Sequence, residues 1–258
     1  MENWLLLVIS GLIAGILAGL LGIGGGTVLV PLQLAFGYTP LQAVATSSLA
    51  IVITATSGTI QNWRMGYINF QKVIFLGLPA VVTAFFSAGL ANIIPPRNQL
   101  ISFGILLLFT IYLVELRKNL SKKQEEEENE QNQQSKFSFT IARILTGGTA
   151  GMLAGIFGVG GGVIMVPLQM LLLGETIKVA IQTSLGVIVL SSISAATRHA
   201  LAGNILLVPG LILGFGGLLG AQLSTRFLPR LPDKVVSLTF RTGLAILAVY
   251  IFWKASNI

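Results

Sequence analysis

The sequence predicts an all-α polytopic membrane protein made of two homologous repeats, each of about four helical segments, the first of which is broken at a Gly-rich motif. Three observations predict it. The 258-residue chain is 53% hydrophobic and 10% charged, where soluble domains carry about 25% charged residues, and its mean hydropathy is +0.84. Apolar runs long enough to cross a bilayer, about 20 residues each, recur along the chain. The stretch LLGIGGGTVLVPLQ at 20–33 returns as FGVGGGVIMVPLQ at 157–169.

The apolar runs fall at 4–22, 41–61, 72–94, 98–116, 138–158, 177–197, 205–228 and 235–253. The N-terminal MENWLLL has no basic n-region and no small-residue cleavage site, so 4–22 reads as a retained first helix. Two shorter apolar pieces, 27–36 and 163–173, follow the glycine triplets. Each spans about half a membrane as a helix, at about 1.5 Å per residue. The segment 117–136, RKNLSKKQEEEENEQNQQSK, reads as a solvated, flexible linker on the cytoplasmic side. It divides a first transmembrane repeat, 1–116, from a second, 137–258.

The repeat is legible residue by residue. Gly19–Gln33 aligns with Gly155–Gln169 without a gap. ATSSLA at 45–50 matches IQTSLG at 181–186 in the same register, and RMGYIN at 64–69 matches LAGNIL at 201–206 one residue out of it.

Glycine costs a helix interior about 1 kcal/mol relative to alanine, and proline about 3 kcal/mol. Within hydrocarbon, unwound backbone survives only inside protein or beside a watery cavity. A break at Gly24, Gly25 and Gly26, with a helix restarting near Thr27, presents unpaired N–H groups and a positive dipole end, which together favour an anion. Gly160, Gly161, Gly162 and Val163 repeat the arrangement. Broken helices at matching places in two halves point to a transporter's substrate site. Close helix packing through small residues is the competing explanation of the glycines.

Neutral donors follow each break: Gln33, Thr46, Ser47 and Ser48 in the first half, and Gln169, Gln182, Thr183 and Ser184 in the second. All nine acidic residues (Glu2, Glu115, the glutamates 125–128 and 130, Glu175 and Asp233) lie at segment ends or in loops. That disfavours a cation pump and suits an anionic substrate. Arg198 and His199 form an adjacent basic pair at a segment end, suited to anion attraction or gating, with interfacial snorkelling the favoured alternative. The chain has no cysteine, no HExxH motif and no Walker lysine, so no catalytic residue, cofactor or metal is expected and an enzyme is disfavoured. The basic excess, net +7, is not clustered as a nucleic-acid surface would be. The expected partners are a small anion and the lipid bilayer; a homo-oligomer is compatible with the sequence.

The doubled G-x-G-G-G…V-P pattern with its downstream [ST]-S-L step resembles the TauE/SafE family of sulfite exporter-like membrane permeases. The signature residues are Gly22, Gly24, Gly25, Gly26 and Pro31, with Gly158, Gly160, Gly161, Gly162 and Pro167. Thr46, Ser47 and Ser48 belong to it as well, with Thr183 and Ser184. The resemblance implies a secondary transporter, an exporter of small sulfur oxyanions or organosulfonates such as sulfite, in the bacterial cytoplasmic membrane. A passive anion channel, or an uptake permease for another small anion, would use the same site. The halves differ where the first reads Ala-Thr-Ser-Ser-Leu and the second Ile-Gln-Thr-Ser-Leu, so they need not contribute equally.

Two topologies fit. If every long run crosses, the repeats are parallel and the sixteen Lys and Arg divide ten to six between the faces. If each broken segment enters and returns, the repeats are inverted, and only Arg97, Arg198 and Lys254 lie opposite the linker. The positive-inside rule favours the second, with the linker cytoplasmic and both termini outside.

Overall fold

The computed structural model describes residues 4–126 and 136–257, with side chains outside 118–138. Among the described residues there is helix and no strand. The first half holds α1 (Trp4–Leu21), α2 (Gly26–Ala35), α3 (Pro40–Arg64), α4 (Phe70–Leu90) and α5 (Pro96–Glu126). The second holds α6 (Lys136–Phe157), α7 (Gly162–Leu172), α8 (Ile177–Leu201), α9 (Leu207–Phe227) and α10 (Asp233–Ser256). All but α2 and α7 are long and apolar enough to cross a membrane. α5 runs on through Glu126, so the first ten residues of the expected flexible linker are helical. The rest of that segment, save Lys136 at the start of α6, lies outside the described residues.

Local chemistry sets the helix ends. Thr39 caps α3 in a reciprocal box with Gln42, with Pro40 in the first turn, and Thr176 caps α8 through the Val179 N–H. Gly66 and Gly203, both left-handed, close the C-termini of α3 and α8; there Tyr67 N–H donates to Asn62 O and Asn204 N–H to His199 O.

These landmarks correct the register read from the sequence. Gln33 and Gln169 follow their breaks at the same distance, but α7 is one residue longer than α2 (11 against 10). Gly37 therefore matches Gly174, Thr39 matches Thr176, and Gly66 matches Gly203. Ser47 is thus the counterpart of Ser184 and Thr46 of Thr183, while Ser48 falls opposite Leu185 and Gln182 opposite Ala45. The extra residue that displaced the RMGYIN match already acts before α8 begins.

Close approaches give the helices their directions. α1 runs with α9, Gly11 against Leu213, Gly15 against Gly217 and Gly19 against Ser224 and Thr225. α3 runs with α9 too, Leu49 meeting Gly210 and Ser57 donating to Leu218 O. In the same manner α4 runs with α6 (Leu76 at Gly147, Ala80 at Gly151, Ser87 at Gly155) and with α8 (Val73 at Gly186, Leu190 at Gly77). The five residues 65–69 between α3 and α4 force those two to be antiparallel. α5 and α10 pack antiparallel, with Phe252 at Gly104 and Arg241 paired to Glu115.

So α1, α3, α5 and α9 point one way and α4, α6, α8 and α10 the other. The two halves follow the same order in opposite senses. Both chain ends lie on one face, and α5 leaves and α6 enters on the other. Arg97, Arg198 and Lys254 sit at helix ends on the terminal face; the other Lys and Arg residues belong to the opposite face. Lys72–Glu175, Lys178–Asp233 and Arg241–Glu115 pair there, each worth about 0–1 kcal/mol where half-exposed.

α3 and α8 are the most enclosed of the long helices and α10 the least. Outward apolar side chains such as Phe86, Ile93, Ile246 and Val249 remain exposed, a surface suited to lipid tails.

Candidate substrate site at the paired glycine breaks

α1 stops at Leu21, and Gly22, Gly24 and Gly25 take φ of 66°, 73° and 84°. Across the molecule Gly158, Gly160 and Gly161 take 63°, 74° and 78°. Side chains other than glycine pay about 1–2 kcal/mol per residue for this left-handed geometry, so the sequence at each break is fixed by backbone conformation and not by packing alone. Beyond the break α2 folds back beside α1, with Gly25 against Ala14.

Gly26 and Gly162 have ordinary helical geometry and are small for another reason. A Cβ on Gly26 would overlap the Gly158 carbonyl oxygen, and one on Gly162 would overlap the Gly22 carbonyl oxygen. The two breaks therefore touch, each helix restart resting on the other's unwound strand. Ile51 of α3 and Ile188 of α8 flank the contact, both within 3.4 Å of where a Cβ on Gly24 or on Gly160 would stand.

Among the described residues no protein acceptor meets the N–H groups of Ile23 to Thr27, nor those of Val159 to Ile164. The carbonyls are held instead: Ser184 Oγ donates to Gly22 O at 2.8 Å and Ser191 Oγ to Gly160 O at 3.3 Å. Thr27, in the first turn of α2, is fully buried and its hydroxyl has no partner. Its counterpart Val163 is equally buried and carries no hydroxyl. A buried hydroxyl without a bond costs about 1–3 kcal/mol, which marks Thr27 as a group whose partner is not protein.

The remaining candidates divide. Gln33 spends its amide N–H groups on Ser47 Oγ (2.6 Å) and on Leu29 O and Ala43 O (3.3 Å each), pinning α2 to α3. Gln169 ties α7 to α8 through Ala180 O. Thr46 Oγ1 accepts from Leu206 N–H at the start of α9, and Ser48 donates to Val44 O in its own helix. Gln182 and Thr183 are buried in α8 and make no hydrogen bond among the described residues. Arg198 and His199 lie more than two turns past Ile188. Arg198 packs on Gly89 of α4, and His199 Nε2 donates to Gly155 O at 3.1 Å. Neither joins the breaks.

Ile51, Ile188 and Ser191 were not legible as site residues, since an isoleucine in an apolar helix carries no mark. On the terminal side of the two isoleucines lies an apolar groove of about 440 Å³, lined by Leu49 and Val52 of α3, Ile193, Ala196 and Thr197 of α8 and Leu207 of α9; Ile193 and Leu207 are exposed, so the groove opens outward.

The sulfite exporter TauE/SafE family model matches residues 7–251. The chain belongs to the TauE/SafE family. It is similar to “Probable membrane transporter protein YunE” of Bacillus subtilis, 27% identical over 98% of both chains. It is similar also to “Probable membrane transporter protein YjnA” of the same organism, 26% identical over 93% of this chain and 98% of the relative. A 65-residue stretch is 38% identical to “Sulfite exporter TauE/SafE family protein 1” of Arabidopsis thaliana, covering 25% of this chain and 14% of that one. No solved structure matches. As a TauE/SafE protein with eight membrane-length helices, the chain is a multi-pass membrane transporter.

Proposed function

We propose that this TauE/SafE protein is a secondary transporter, working as an exporter in the cytoplasmic membrane, and that it carries small sulfur oxyanions or organosulfonates such as sulfite. The observation that carries the reading is the convergence of two sets of unpaired N–H groups where the glycine breaks meet. Two positive helix ends and the Thr27 hydroxyl supply donors without a fixed charge. Such a site replaces part of the anion's water and still lets it leave, which a buried arginine would hinder. Gly24–Thr27 and Gly160–Val163 form the site. Gln33, Gln169, Thr46, Ser47 and Ser184 hold its frame, and Gln182 and Thr183 supply further donors from α8.

The breaks touch beside Ile51 and Ile188, and the apolar groove lies on the terminal side of that contact. Rocking one half against the other would part Gly26 from Gly158 and open the opposite face, as alternating access requires. A closed contact of this kind favours a carrier over a passive channel. The basic face carrying the α5–α6 connection is cytoplasmic by the positive-inside rule, and the outward direction follows the family description. Flux of radiolabelled sulfite from proteoliposomes tests this: saturable efflux supports the carrier, and no flux of sulfite, thiosulfate, taurine or sulfoacetate would defeat the reading.

A further inference from the structure

The two halves part company at the ends of α3 and α8. Asn62 and His199 are counterparts, each four residues before its left-handed glycine, and both are fully buried. Around them Gly19 matches Gly155, Ser224 matches Ser87, and Thr225 matches Ala88. In the second half His199 Nε2 closes onto the Gly155 carbonyl in the last turn of α6, while its Nδ1 has no partner among the described residues. In the first half nothing closes the place.

Asn62 leaves both its amide nitrogen and its amide oxygen without a partner at 0% exposure. Thr225 Oγ1, also at 0%, has none either. That oxygen stands 2.7 Å from where a Cβ on Gly19 would be and 3.4 Å from one on Gly58, one turn below Asn62. Thr54 and Thr110, also buried in helices, give their hydroxyls to their own backbone at 2.9 Å; Thr225 forgoes that bond, as Thr27 and Thr146 do. The last carbonyls of α1, those of Gly19, Leu20 and Leu21, are helix-terminal and accept no backbone N–H.

We propose that α1's C-terminal turn, Thr225 and Asn62 together form a binding site for a small monovalent cation of sodium's size. The ligand set is neutral oxygen throughout, which suits one positive charge and not two. The negative end of the α1 dipole adds to it. The break thus offers its two opposite ends to two opposite charges: a cation at the end of α1, and three residues further on the anion at the start of α2. A cation held there steadies the unwound strand that the anion binds, which couples the two. The site stands on its own geometry; the coupling rests on the transporter reading.

The test uses the full-length purified protein, its melting temperature read in sodium, potassium or choline chloride at equal ionic strength, together with sulfite efflux in the same salts. The expected result is a saturable rise in melting temperature with sodium, absent in choline, and efflux at least tenfold faster with sodium. Asn62→His with Thr225→Ala copies the arrangement that closes the second half, and should fold while losing the sodium response. Thr225→Val, which keeps the side-chain shape, should weaken half-saturation by sodium at least tenfold and serves if the double variant fails to fold. Identical melting in sodium and choline overturns the proposal and leaves a bridging water as the partner of these groups, whether or not sulfite moves. A sodium response untouched by Thr225→Val overturns it also. Sodium-dependent melting without sulfite flux would keep the cation site and sink the anion reading.

Discussion

Gly26 lies against the carbonyl oxygen of Gly158, on the opposite half of the chain, so closely that no Cβ fits between them. Gly162 meets Gly22 in the same way. Alanine is the better helix former by about 1 kcal/mol, so Gly26→Ala or Gly162→Ala would strengthen the local helix if packing were open. We expect either substitution to push the breaks apart and reduce transport at least tenfold, with the protein still inserted and folded. Wild-type flux in both would show that the contact has no part in transport.

Thr27 offers a cleaner chemical probe than the glycines. Its hydroxyl has no partner among the described residues, so Thr27→Val removes a buried unpaired group, and by stability alone the change should be neutral or favourable. If the hydroxyl holds the anion, apparent affinity should fall about tenfold, equivalent to about 1.4 kcal/mol. Measuring melting temperature and substrate affinity on the same sample separates the two; unchanged affinity would remove Thr27 from the site.

Ser184 and Ser48 should behave differently although both occur in the matched TSL and SSL steps. Ser184 reaches across to the Gly22 carbonyl at 2.8 Å, whereas Ser48 bonds within its own helix. Ser184→Ala strips a partner from the break, costs about 1–3 kcal/mol of stability, and should slow transport. Ser48→Ala should leave both melting temperature and flux near wild type. Equal effects would contradict the register drawn from α2 and α7.

Helix directions make a topological expectation that the chain's lack of cysteine renders easy to check. Asn257→Cys, beyond α10, and Lys234→Cys, at its start, should react with an impermeant thiol reagent from opposite sides of the membrane. With the basic face inward, Asn257→Cys labels in intact cells and Lys234→Cys only after permeabilisation. Labelling of both from one side would mean that α10 does not cross.

Much of this was legible in the sequence because the same physics acts on both halves. Three glycines and a proline in an apolar run are costly, and their return after 136 residues marked Gly24 and Gly160 as backbone features before any coordinates. What remained hidden is where the added residue falls: it lies in α7, so Ser184 stands opposite Ser47 and not opposite Ser48. A single insertion at a helix end leaves no trace in hydropathy. Nor does the sequence say which donors are already spent. Gln33 and Thr27 look alike as polar residues after a break, yet Gln33 gives its N–H groups to α3 and to its own helix, and Thr27 keeps its hydroxyl free. The helical course of 117–126 was missed because lysine and glutamate are good helix formers as well as solvated ones.

The most direct measurement is equilibrium binding of sulfite, thiosulfate, sulfate, taurine and sulfoacetate to the purified protein and to its Gly26→Ala variant. At least one of these anions should bind the wild type saturably, at one site per chain, and bind the variant at least tenfold more weakly. Failure of all five to bind the wild type, or binding that the variant leaves untouched, would contradict a substrate held between the two breaks.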